Sequence, residues 1–253
     1  MLSEILSALD LHIAELAICT VAVLAGAYLK GYTGFGASML WVTSLSLVLP
    51  PIEVVPMVLL FEVVTSIFLL PRIWNDIRWN SILLLLIGTW IATPIGIYGL
   101  ANLPANPIRI ALAIVVFVAA ILILRGFALR HEPGKPATLG TGLAAGILNG
   151  SMGIVGPPVI LFYFSSPIGV VAGRASIIAF FIGTDTVGSA MFAGQGLLGS
   201  EVLYRTAVFL PVLLAGVAFG HRGFVATDVE TFKEIALMVL MVLAVGLVVR
   251  VIL

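Results

Sequence analysis

The sequence predicts an all-α polytopic membrane protein of about ten helical segments, 8–10 of them spans, built as two homologous repeats with glycine-broken helices. Three observations carry this. Hydrophobic residues fill 61% of the 253 positions and charged ones only 9%, whereas a soluble domain has about 25% charged residues with which to cover its surface. Stretches without Asp, Glu, Lys or Arg run through 31–52, 79–108 and 136–173, and a helical span takes about 20 mostly apolar residues. Finally, a series of short motifs occurs twice in the same order. With a mean hydropathy of +1.23, a soluble enzyme, a nucleic-acid binder and a disordered chain are all excluded. Twelve basic and twelve acidic residues cancel, leaving no basic patch for nucleic acid. Cys19 is alone, so neither a disulfide within the chain nor a zinc cluster is expected.

In order, the segments fall at 11–30, 35–49, 52–70, 80–100, 107–125, 137–150, 154–166, 168–193, 204–222 and 229–252. The second and seventh are short for a full crossing, and Pro157–Pro158 interrupts the long apolar run around the seventh. No apolar/polar alternation supports a β-barrel. The start carries Glu4, Asp10 and Glu15 and lacks the positive region of a cleavable signal peptide. Joints after odd-numbered segments hold Lys30, Arg72, Arg78, Arg125, Arg130, Lys135, Arg174, Arg222 and Lys233, against Arg109, Arg205 and Arg250 on the other side. By the positive-inside rule both termini face outward if all ten segments cross.

The duplication divides the chain into a first repeat at 1–125, a linker at 126–136 and a second repeat at 137–253. Gly26–Gly36 matches Gly146–Gly156, and Pro51–Val55 matches Pro167–Val171. Ala92, Gly96 and Gly99 match Gly216, Gly220 and Gly223, while Ile110–Leu112 matches Ile235–Leu237. Five crossings per half would turn the second repeat upside down, as in many secondary transporters; four would leave the repeats parallel.

Function is expected where the repeats carry glycine. Three glycines within seven or eight residues weaken a helix by roughly 1 kcal/mol each, and broken backbone inside lipid is tolerated only against protein or a water-filled cavity. The half-helix that follows aims free N–H groups into that space, a natural anion site. The candidates are Lys30, Gly31, Thr33, Gly34, Gly36 and Ser38 in the first copy. Asn149, Gly150, Ser151, Gly153 and Gly156 are their counterparts in the second. A purely structural reading is also open: Gly142, Gly146 and Gly150 have the small-x-x-x-small spacing that lets helices approach, and Lys30 has the reach to snorkel to the interface.

At these residues the chain resembles the sulfite exporter TauE/SafE family of bacterial membrane transporters. The resemblance rests on Gly31, Gly34 and Gly36, the proline-led helix at Pro51, and the second copy Gly150, Gly153, Gly156 and Pro157. It covers nearly the whole chain and departs from the family pattern at Ala37-Ser38, where a further glycine is expected. It implies transport of a small sulfur-containing anion (sulfite, an organosulfonate or a thiosulfate-like species) across the bacterial cytoplasmic membrane.

Charges inside a span cost about 2.5–3.5 kcal/mol each on insertion scales. Glu62 and Asp185 sit mid-segment, and an offset of 123 that aligns them also aligns Ser66 with Ser189. Both acids are read as coupling groups for a proton or a sodium ion, or else as packing groups paired with a buried cation. Arg174 is either a bidentate anion ligand or an interfacial anchor. Trp41, Trp74, Trp79, Trp90 and Tyr204 read as interfacial aromatics, and Gln195 and His221 as interface residues. The expected partners are a small anion, a coupling ion and lipid, with no cofactor and no metal. The competing readings are a passive anion channel and, less favoured, an intramembrane enzyme. For the enzyme no His-Glu-x-x-His, identifiable serine nucleophile or Gly-x-Gly-Asp is present.

Overall fold

A computed structural model describes residues 12–102, 121, 133–152, 155–232, 234–236, 238, 239 and 242. Within them the chain forms eight α-helices and one 3₁₀ turn, and no strand. They are α1 Ile13–Thr33, α2 Ala37–Leu45, α3 Pro51–Ile73, α4 Trp79–Asn102, α5 Lys135–Met152, α6 Gly156–Ser165, α7 Val170–Gly194 and α8 Ser200–Ala226, with the 3₁₀ turn at Trp74–Asp76 after α3. Five helices are long and apolar enough to cross a membrane. The expected fifth segment apart from residue 121, most of the tenth and residues 126–132 of the linker lie outside the described residues. Lys135 already opens α5.

Helix ends follow from local chemistry. Glu15 accepts the His12 N–H at 2.8 Å and so closes the start of α1, a capping-box contact. Pro51 opens α3 at the position where a missing N–H is harmless. Past the end of α8, the N–H groups of Thr231 and Glu230 donate to the Asp228 carboxylate and hold it below the usual aspartate range.

Close approaches at glycine give the helix directions. On α1, Gly31 lies against Val217 and His221 of α8, while Gly216 and Gly220 lie against Ala27 and Tyr28 of α1. Numbers rise together, so α1 and α8 run parallel. The same holds for α4 and α5, where Gly142 meets Leu85 and Gly146 meets Thr89 and Ala92. α3 and α7 are antiparallel: Leu59 meets Gly188, whereas the Arg78 N–H just beyond α3 donates to Ser176 Oγ at 3.0 Å. Connectivity then sets α5, α6, α7 and α8 running opposite to α1, α2, α3 and α4 in turn. The first helix of each half packs on the fourth helix of the other, and the third helices pack on each other. The Gly-x-x-x-Gly stripes therefore serve close packing here.

One end of this bundle gathers Arg72, Arg78, Lys135, Arg174 and Arg222, where α1, α3 and α8 finish and α4, α5 and α7 begin. Near the opposite end the Arg205 guanidinium pairs with Glu53, tying α8 to α3. Trp41 is wholly buried rather than interfacial. Its indole fills the notch left by Gly26, donates to Val23 O at 3.1 Å and meets Phe61 edge-on. Trp74 and Trp79 are exposed and in mutual contact.

A methyl group added at Gly220 would collide with the Tyr28 backbone. Gly220→Ala is therefore expected to destabilise by about 1–3 kcal/mol, the usual result of overpacking. Thermal unfolding of purified protein checks this; an unchanged Tm would mean that α1 and α8 are not in backbone contact.

Candidate functional site

The first break is built by two left-handed glycines. Gly34 at φ 86° ends α1, and its N–H donates to Lys30 O. Gly36 at φ 80° starts α2. Residues with a Cβ pay for this region of backbone space, which explains glycine at both. Phe35 between them is buried edge-on against Phe164 of α6 at 5.5 Å. The Thr33 hydroxyl lies 2.8 Å from Leu29 O and 2.7 Å from Phe35 O and accepts the Phe35 N–H at 3.2 Å, so it is engaged in holding the loop. Ser38 is buried in the first turn of α2. There the N–H groups of Ala37, Ser38 and Met39 have no intrahelical partner, as in any first helical turn.

Arg174, from the second turn of α7, is buried across this break. Its Nε donates to Tyr32 O at 2.9 Å and its Nη2 to Gly31 O at 2.5 Å, while the guanidinium lies 3.9 Å above the Phe224 ring. Neither sequence reading anticipated this: the forked cation caps the last carbonyls of α1 from another helix, complementing the negative end of its dipole.

The second break is less symmetrical. Asn149 and Gly150 are buried near the end of α5, which finishes at Met152 just beyond Ser151, and Gly153 lies outside the described residues. α6 begins at Gly156 and continues with Pro157 and Pro158. Two prolines in the first turn remove two of the N–H groups that such a tip would otherwise present. Among the described residues, the first turn of α6 thus presents fewer free amides than that of α2.

Between the breaks lies a buried polar cluster. Lys30 precedes Gly34 by four residues, and its Nζ bonds Glu62 Oε2 at 2.5 Å while resting 4.0 Å over the Phe181 ring. Both members of the pair are closed to solvent. Asp185 is buried within electrostatic reach of both Glu62 and Lys30. Asn149 reaches the same place from α5, its amide nitrogen facing Gly188, one turn beyond Asp185. Helix directions explain the meeting: side chains lean toward the N-terminus of their own helix, so Lys30 and Asn149 lean toward each other from opposite ends. Ser66 and Ser189, one turn after the two acids, are buried on the same faces. Phe181 escaped the sequence reading, although its spacing of four from Asp185 marks a shared stripe.

Two cavities open near the Arg-rich end. One of about 350 Å³ is lined by Arg78, Asn80, Ser81, Tyr163 and Ser166 among others, with Tyr163 and Ser81 hydroxyls 3.0 Å apart. Its neighbour, of about 410 Å³, adds Lys135 and Thr138. The Lys30–Glu62–Asp185 cluster lines neither.

Comparison with known proteins identifies the family. The family model described as "Sulfite exporter TauE/SafE" matches residues 18–247. A relative in Cupriavidus necator, described as "Probable sulfite/organosulfonate exporter TauE", is 28% identical over 207 residues, covering 78% of this chain and 80% of that protein. No solved structure matches. The match extends across both breaks and the buried cluster, and the chain belongs to the sulfite exporter TauE/SafE family of membrane transporters for sulfur-containing anions.

Proposed function

We propose that the protein moves sulfite or a small organosulfonate across the bacterial cytoplasmic membrane by alternating access, coupled to a proton or a sodium ion. The carrying observation is the interrupted α1–α2 segment, in which α2 starts at a left-handed glycine with no side-chain cap and Lys30 is buried in the last turn of α1. Such a helix start stabilises an anion in a place without water, as in transporters with discontinuous helices. Gly31, Gly34, Gly36 and Ser38 shape the contact, Thr33 and Arg174 hold the loop in register, and Lys30 supplies full positive charge when it leaves Glu62. Asn149, Gly150 and Gly156 form the opposing wall. Glu62 and Asp185 are the coupling acids. The Arg-rich end faces the cytoplasm, and the 350 Å³ cavity there is the vestibule. The halves at 1–125 and 137–253 are the two repeats.

Thermal stabilisation of the purified protein tests this reading, because binding to the folded state alone raises Tm. Sulfite, thiosulfate or sulfoacetate is expected to raise Tm by about 5–10 °C at a hundredfold excess over its dissociation constant. Cationic and neutral solutes should leave it unchanged, and stabilisation by those alone would defeat the anion reading. In proteoliposomes, substrate loaded on the far side should accelerate exchange; a rate indifferent to loading describes a channel and removes alternating access.

A further inference from the structure

We infer that Glu62, Asn149, Asp185 and Ser189 form a binding site for a monovalent alkali cation where α3 crosses α7. The inference deepens the coupling reading above, although binding of the ion does not depend on what else the protein carries.

The first support is an accumulation of unpaired acceptors. Buried polar atoms nearly always have a hydrogen-bond partner. Among the described residues, the buried side-chain oxygens without one are Glu62 Oε1, Ser66 Oγ, Asn149 Oδ1, Asp185 Oδ2, Ser189 Oγ and, elsewhere, Ser46 Oγ. Four of these six, those of Glu62, Asn149, Asp185 and Ser189, belong to residues that the fold brings together. Glu62 and Ser66 share one face of α3, and Asp185 and Ser189 one face of α7, each pair four residues apart. Leu59 and the Asn149 amide both pack at Gly188, which places Ser189, Asp185 and Glu62 beside the end of α5, while the antiparallel crossing carries Ser66 about 10 Å beyond Leu59 along α3. The other Asp185 oxygen receives only a long 3.4 Å contact from Thr184, whose hydroxyl also lies 3.2 Å from Phe180 O.

The second support is charge. One ammonium, Lys30, faces two carboxylates, and it bonds Glu62. A buried carboxylate without a counter-charge is costly. One added positive charge balances the cluster, whereas a divalent ion would overshoot. Hard cations take carboxylate, carbonyl and hydroxyl oxygens, the set that is unpaired here. A proton on Asp185 would supply a single donor and leave most of these oxygens unmet.

The test is thermal unfolding of the purified full chain at pH 8, titrated with sodium chloride against N-methylglucamine chloride at constant ionic strength. Sodium is expected to raise Tm by about 5–10 °C at a hundredfold excess over its dissociation constant. Ser189→Ala should raise the half-saturating sodium concentration at least about tenfold, since even outer partners of a metal are worth that much. Asp185→Asn should abolish the sodium response and, in N-methylglucamine, unfold no earlier than the unaltered protein, because it removes the uncompensated charge. Equal Tm in both salts overturns the site, as does a protein stabilised by acid but indifferent to sodium. Should Asp185→Asn fail to fold, an unaltered sodium midpoint in Ser189→Ala still overturns it. Sulfite titrated in N-methylglucamine reads the anion site separately, so the loss of one response is distinguishable from the loss of the other.

Discussion

Lys30→Met should lower stability by about 3–5 kcal/mol and abolish transport, the largest single effect expected in this chain. The ammonium bonds Glu62 at 2.5 Å, and neither side chain reaches solvent. Its loss leaves Glu62 and Asp185 as neighbouring buried acids with no described cation to balance them. Breaking such a pair costs far more than the pair contributes, because the surviving charge stays desolvated. The double variant Lys30→Met with Glu62→Leu therefore recovers most of the lost stability without recovering transport. Denaturant unfolding and sulfite flux in proteoliposomes, measured on both variants, separate the two effects. A single variant as stable as the unaltered protein would show that Lys30 is not buried against Glu62. A transporting double variant would show that the pair serves packing alone.

Arg174→Met is expected to cost nearly as much, and in a different place. The guanidinium makes two charge-assisted bonds, to Gly31 O and Tyr32 O, each worth about 1.5–3 kcal/mol. Without them α1 ends in buried, unmet carbonyls, and the Gly34–Gly36 loop loses its brace. Stability should fall by about 3–5 kcal/mol, with hydrogen exchange accelerating most at residues 31–36. Arg174→Lys should recover only part of this, because a point charge cannot fork between two carbonyls. Unchanged exchange protection at those residues in Arg174→Met would refute the capping role.

Glycine spacing marked both interruptions in the sequence, and the break after Thr33 is where two glycines take positive φ. Helix number and placement were largely legible because apolar length is a strong signal; α7 at 170–194 lies close to the expected 168–193. Direction was not, because crossing number alone left inverted and parallel repeats open, and only Gly31 against Val217 and Gly142 against Leu85 decide it. The polar cluster was half legible. Glu62, Asp185, Ser66 and Ser189 share an offset visible in the chain, but nothing local to Lys30 says that its side chain turns inward, since an interfacial lysine looks the same. The capping contacts of Arg174 were not legible for a related reason: its partners are backbone carbonyls 143 and 142 positions away, and carbonyls leave no residue signature. Prolines 157 and 158 mark an interruption in the sequence, and their removal of amide donors leaves the tip of α6 with fewer free N–H groups than that of α2.

The glycine contacts of α1 with α8 and of α4 with α5 also constrain how the molecule can open. Each joins backbone to backbone across the two halves, leaving no side-chain cushion to slide upon. A swing of one half as a block would have to shear both seams at once. Movement that spares them treats each cross-paired couple as a fixed post, with α3 and α7 shifting between the posts and the buried acids riding on the sliding surface.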